Sequence, residues 1–122
     1  MTKTLTLVAD DYGLAAPVDR GILRLAARRR LSDVSCITNA PGWAAAAPAL
    51  AALPVRAGLH FNLTEGQPLS VAARRHWPVL PKLPRLIALA HLRALPTAAL
   101  RDELHAQWDA FESAFGRAPN VP

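Results

Sequence analysis

Apolar and polar positions along the chain fall into blocks whose period switches between that of a strand and that of a helix. "TLTLVA" (4–9) is a short apolar run of the kind that makes a buried strand. "PVDRGILRLAARRR" (17–30) then reads as a helix opening on Pro17, with Val18, Ile22 and Leu25 on one face at steps of three and four. The strand pattern returns at "DVSCITN" (33–39) and again at "VRAGLHFNL" (55–63). Between these two lies a short alanine-rich helix, "WAAAAPALAAL" (43–53), interrupted by Pro48. Residues 68–85, "PLSVAARRHWPVLPKLP" and Arg85, are punctuated by proline and predict a long loop, of the sort that often forms lids or binding segments. Helices are predicted at 85–95 and 97–115. The second repeats Leu100, Leu104, Trp108, Phe111 and Phe115, with Thr97 placed as N-cap and Gly116 as C-cap.

Strand, helix, strand, helix, strand and then helices is the order of an α/β fold with parallel strands and right-handed crossovers. The 122 residues, 52% of them hydrophobic, suffice for one unit spanning 1–122 with a buried core. Cys36 is the only cysteine and sits in an apolar segment, so it is expected to pack as a small hydrophobe. The apolar run at the N-terminus is cut off by Asp10 and Asp11, too soon for a signal sequence. No stretch reaches membrane-spanning length. A cytoplasmic protein is expected. Two of the 14 basic residues are lysine, and the rest are arginine in an alanine-rich chain. The net charge of +5 is therefore read as compositional. No aromatic residues interleave the arginines as a base-stacking surface requires, so nucleic acid is not an expected partner.

In parallel α/β folds ligands gather at the carboxyl ends of strands. This sequence places Asp10 and Asp11 at the end of the first strand, Thr38 and Asn39 at the second, and His60, Asn62, Thr64, Glu65 and Gly66 at and beyond the third. Two adjacent carboxylates with no Lys or Arg beside them repel, and a divalent cation is the simplest compensation. One acid can then hold the ion while the other, aimed elsewhere, accepts a proton; His60 is placed to be a second ligand. Structural roles are open to the same residues: Asp10 as a turn cap, Asp11 as a solvated acid, His60 as a core histidine.

"VADDYGL" (8–14), "RGILRLAARRRLSDVSCITNAP" (20–41), "GLHFNLTEGQPL" (58–69) and "ELHAQWDAFESAFGRAP" (103–119) together resemble the YdjC-like carbohydrate deacetylases, which include chitooligosaccharide deacetylases and a hopanoid-biosynthesis-associated branch. The resemblance implies a distorted TIM-like (β/α) barrel and a metal-dependent hydrolase that removes acetyl groups from N-acetylated sugars or glycolipids. It implies Asp11 and His60 as metal ligands, with magnesium or zinc as the ion, and Asp10 as the general base. Thr64 and Gly66, together with Asn39 and Asn62 on the same rim, are assigned to the sugar pocket.

Members of the family continue past the G-x-x-P turn, here Gly116 to Pro119, into a strand with an Asp-x-His-x-His motif. That motif is not in this sequence, so the chain is expected to form the first half of the barrel, stopping before the fourth strand. The alternative is a non-catalytic, degenerate fragment that folds only with a second copy of itself or with another chain. A receiver-type signalling domain fits the length and the acidic pair, but the third strand ends His60, Phe61, Asn62 and lacks the phosphoacceptor aspartate. The half-barrel expectation leaves an unpaired edge at the third strand. Metal-free chain should accordingly be self-associated or poorly soluble, and a sharp monomer peak in sedimentation velocity with cooperative melting would count against it.

Overall fold

The computed structural model describes residues 1–120. Its elements run β1 (Val8–Tyr12), α1 (Ala16–Ala27), β2 (Asp33–Cys36), α2 (Trp43–Ala51), β3 (Arg56–Leu59), α3 (Val71–His76), α4 (Leu83–His91) and α5 (Thr97–Phe115). The three strands form one parallel sheet in the order β1-β2-β3. The α/β expectation holds. The strands alternate as half-buried strands do: Val34 and Cys36 of β2 and Ala57 of β3 face the helices, and Ser35 and Gly58 face the other side.

The core lies between the sheet and α1, α2 and α5, and Trp43 is at its centre. Its indole stacks on Phe111 and Phe115, with ring centroids at 5.4 and 6.4 Å, and meets Tyr12 edge-on at 6.4 Å. The polar ends of these rings are satisfied without leaving the core: Trp43 Nε1 donates to the Ala110 carbonyl and the Tyr12 hydroxyl to that of Ala46. Cys36 packs here with no exposed surface, as expected. Burial, and secondarily the charge of Asp19, pushes its thiol up to about 12; the same two causes raise the Tyr12 phenol to about 12.

Several sequence expectations shift. The first strand begins at Val8 rather than at residue 4, because pairing with β2 starts at Val8 opposite Asp33; Leu5 and Leu7 are exposed. Asp10 and Asp11 therefore sit within the strand. Helix α1 buries Asp19, Ile22 and Ala26, while Val18 and Leu25 face solvent. Pro48 does not interrupt α2, which continues through it at the cost of one N–H. The stretch 68–85 is not a continuous loop. It contains α3, capped by the Ser70 hydroxyl accepting from the Ala73 N–H, and α4 starts at Leu83 with Pro84 in its first turn. Helix α5 has the expected limits, and Gly116 ends it in the left-handed conformation at φ +87°, but Pro96 rather than Thr97 is the N-cap. Its buried stripe is Ala99, Glu103, Gln107, Phe111 and Phe115, one position off the expected one at its first three members.

The outer edge of β3 is not bare. The Asn120 N–H donates to the Ala57 carbonyl at 2.8 Å, so the chain after α5 returns alongside the third strand.

Phe111→Ala should destabilise the fold by about 3–5 kcal/mol, whereas Leu104→Ala, on the exposed face of the same helix, should cost under about 0.5 kcal/mol. Urea midpoints at constant slope check the contrast. Because Tyr12 and Cys36 hold their protons more tightly folded than unfolded, their contribution is complete below pH 9, the ordinary thiol value, and is lost as pH rises toward about 12. Thermal melting should therefore fall between pH 9 and 11, and Cys36→Ala should flatten that slope.

Candidate active site at the carboxyl end of the sheet

On a regular strand Asp10 and Asp11 would point to opposite faces. They do not here, because β1 carries one extra residue. Ala9 pairs with Val34 and Tyr12 with Cys36, so three steps along β1 match two along β2. Asp11 absorbs the difference with φ +70°, a left-handed conformation uncommon for a residue other than glycine but accessible to aspartate. Tyr12 is thereby returned to the core face and Asp11 is released from the alternation.

Parity along the strands delivers the remaining groups. Asp10, Ser35 and His60 fall on the sheet face away from the helices. The Ser35 hydroxyl donates to Asp10 Oδ1 at 2.6 Å and lies 3.3 Å from His60 Nδ1. His60 Nδ1 is in turn 3.4 Å from Asp11 Oδ1. The four side chains form a chain of polar contacts, Asp10–Ser35–His60–Asp11, spanning all three strand ends. His60 and Asp11 remain about two-fifths exposed, open to a ligand from solvent. The sequence-derived trio is brought together, and Ser35 is the member that sequence reasoning missed. Its signal was position: one residue before buried Cys36, it had to face the opposite way.

The turn after Asp11 is fixed from behind. The buried Asp19 carboxylate on α1 accepts the Gly13 N–H at 2.7 Å. Gly13 has φ +99°, and a Cβ there would come within 3.1 Å of the Ile37 carbonyl oxygen, so this close passage requires glycine.

The segments that follow the three strands line a cavity of about 570 Å³, with Leu14 after β1, Asn39 and Pro41 after β2, and Asn62, Gly66 and Leu69 after β3; none of the four cluster residues lines it. Asn39, Asn62 and Gly66 thus reach the cavity wall; Thr64 is not on it, and its N–H donates to Asn62 Oδ1. The two asparagines are occupied in shaping the loop. Asn62 Nδ2 donates to Asn39 Oδ1 and to the Glu65 carbonyl, and its Oδ1 accepts the Thr64 and Glu65 N–H groups. Asn39 Nδ2 donates to the Glu65 and Gln67 carbonyls.

A second tier of buried polar side chains anchors this loop to α5. Gln107, with no exposed surface, accepts the Asn62 N–H on Oε1 and donates from Nε2 to the Asn62 carbonyl and to Glu103. The Glu103 carboxylate, equally buried, accepts the Leu69 and Ser70 N–H groups at 2.8 and 2.7 Å. One carboxylate buried without a cation is tolerated because three N–H donors converge on it. The apolar repeat of α5 does not mark these two positions, because glutamate and glutamine on a helix usually are exposed.

Among the described residues no group of three or more His, Cys, Asp and Glu side chains converges as a full ligand set. Asp11 and His60 supply one oxygen and one nitrogen donor. No described helix is long and apolar enough to cross a membrane.

Residues 4–120 match the family model described as YdjC-like protein. The chain is 35% identical over 122 residues to a chitooligosaccharide deacetylase of Proteus mirabilis, covering 98% of this chain and 47% of that protein. It is 30% identical over 121 residues to a human carbohydrate deacetylase, covering 94% of this chain and 38% of that one. A crystal structure from Enterococcus faecalis, of a protein named for cellobiose-phosphate cleavage, shares the fold with a TM-score of 0.76 at 20% identity, over 98% of this chain and 47% of its own. The chain spans about half the length of the curated relatives that it matches. Its sequence from the first strand to the turn beyond α5 makes it a member of the YdjC-like family.

Proposed function

We propose that this chain carries the proton acceptor and two ligands of a metal-dependent carbohydrate deacetylase acting on N-acetylated sugars. The observation that carries the reading is the Asp10–Ser35–His60–Asp11 chain of contacts at the strand ends. The names of the relatives, chitooligosaccharide and carbohydrate deacetylases, support the substrate class.

The two acids divide the work by their partners. Asp10 accepts a short hydrogen bond from the Ser35 hydroxyl, which fixes its carboxylate and leaves its second oxygen free to accept a proton from attacking water. Asp11 has no hydroxyl partner and faces His60 instead. A carboxylate oxygen and an imidazole nitrogen suit zinc, and also admit magnesium or manganese. When bound there, such an ion supplies acidified water and a polarised amide carbonyl. With the Ser35 hydroxyl hydrogen directed to Asp10, the Ser35 and Asp11 oxygens facing His60 Nδ1 are both acceptors and suit a proton on Nδ1; ligation through Nδ1 would move that proton to Nε2 and replace these contacts with the ion. The cavity beside Asn39 and Asn62 would seat the sugar, its wall held in place by Gln107 and Glu103.

The absence of a third ligand among the described residues favours a second reading, in which this chain alone is inactive and serves only in association with further polypeptide. Acetate release from diacetylchitobiose, with zinc or magnesium added, distinguishes the two.

Asp11→Ala and His60→Ala should each weaken zinc binding about tenfold or more in calorimetry, and Asp11→Ala should lose the zinc-induced shift that the parent shows at the His60 imidazole nitrogens in NMR. Asp10→Asn should bind zinc nearly as the parent does. In any active form of the protein, Asp10→Asn should lower turnover by about 10²–10⁴-fold. Loss of metal in Asp10→Asn would overturn the division of labour. Gln107→Leu should leave zinc binding within about threefold while it broadens the amide signals of residues 62–70, because it frees both backbone groups of Asn62.

A further inference from the structure

The net charge, read above as compositional, is concentrated in one segment. Between Glu65 and Asp102 there is no acidic residue, while Arg74, Arg75, Lys82, Arg85, Arg93 and Arg101 all fall there, six cations in a chain whose net charge is +5. All six are exposed. Helix α4 lies in the middle of this segment and buries none of its residues.

What α4 leaves open is apolar. Leu83 and Ile87, one turn apart on the same face, are 55% and 48% exposed, and Leu92 just past the last turn is 75% exposed. Val79, in the stretch leading into the helix, is 61% exposed. Lys82 precedes the helix, Arg85 lies in its first turn, His91 ends it and Arg93 follows. Exposed leucine and isoleucine flanked only by cations is the composition of a helix that lies in a membrane interface, with apolar side chains among acyl chains and cations at anionic headgroups. A partner protein surface would usually call for charges of both signs. Uniform positive charge matches a uniformly negative surface.

We propose that the 79–93 segment, centred on α4, is a peripheral docking surface for anionic lipid bilayers. None of its residues belongs to the Asp10–Ser35–His60–Asp11 cluster, so the proposal stands apart from the deacetylase reading. Arg74, from the same basic segment, lines the cavity.

The test is flotation of the full chain with vesicles through a density gradient, which separates vesicle-bound protein, which rises, from aggregate, which sinks. Vesicles rich in phosphatidylglycerol should carry the protein upward, vesicles of pure phosphatidylcholine should not, and high salt should lower the bound fraction about tenfold. Leu83→Ser with Ile87→Ser should abolish flotation, and Lys82→Glu with Arg85→Glu should weaken it at least about tenfold; circular dichroism melting should be unchanged in both, since these side chains are exposed. Equal flotation with the two vesicle types, or flotation unaffected by both double variants, would overturn the proposal. So would failure to float combined with a concentration-dependent dimer that Leu83→Ser with Ile87→Ser dissociates; that result would assign the face to a second copy of the chain.

Discussion

A single extra residue in β1 decides what this sheet can do. Parallel strands locked in register allow only alternate side chains to reach one face, and two adjacent acids on such a strand are separated by the thickness of the sheet. The left-handed backbone at Asp11 breaks that rule once. Everything upstream keeps its register with β2, everything downstream regains it at Tyr12, and the displaced acid joins Asp10 and His60. Without the bulge Tyr12 would leave the aromatic core and Asp11 would enter it. Core packing and site assembly therefore depend on the same backbone distortion, and Asp19 and Gly13 stabilise the turn on its far side.

The second organising feature is the buried ladder of amides and carboxylate that runs from α5 to the rim of the cavity. Gln107 and Glu103 bind backbone groups of the segment 62–70 much as a neighbouring strand would, using side chains in place of a ladder. A loop held by directed hydrogen bonds in a dry environment has one favoured shape, because each unmade bond leaves a buried polar group unsatisfied. No buried side-chain polar atom among the described residues lacks a partner. The apolar half of α5, Phe111 and Phe115, meanwhile secures Trp43 and the sheet. One helix thus fixes both the core and the loop.

Much of this was legible in the order of residues, and what was not has identifiable causes. The limits of α5 and its Gly116 cap followed from helical periodicity and cap chemistry. Its inward face did not, because a binary hydrophobic pattern assigns Glu103 and Gln107 to solvent, and only the loop that they bind explains their burial. Helix α3 was hidden by proline-rich surroundings; its cap depends on Ser70 and on a carboxylate from a helix more than thirty residues away. The convergence of Asp10, Asp11 and His60 was legible as residue types at strand ends. Their contact through Ser35 was not, since it required the bulge and the inter-strand register together. The charge of the 66–101 segment was visible in sequence but was averaged over the whole chain.

The placement of Cys36 has a consequence for robustness. It stands next to Ser35 in β2, yet the pleat sends its sulfur into the helix-facing core, where burial keeps it protonated far above neutral pH. The cluster on the opposite face is therefore built only from oxygen and nitrogen. Peroxide and disulfide exchange act through thiolates, and none is within reach of it. The pleat of a four-residue strand keeps the chemistry of this surface indifferent to the redox state of its surroundings.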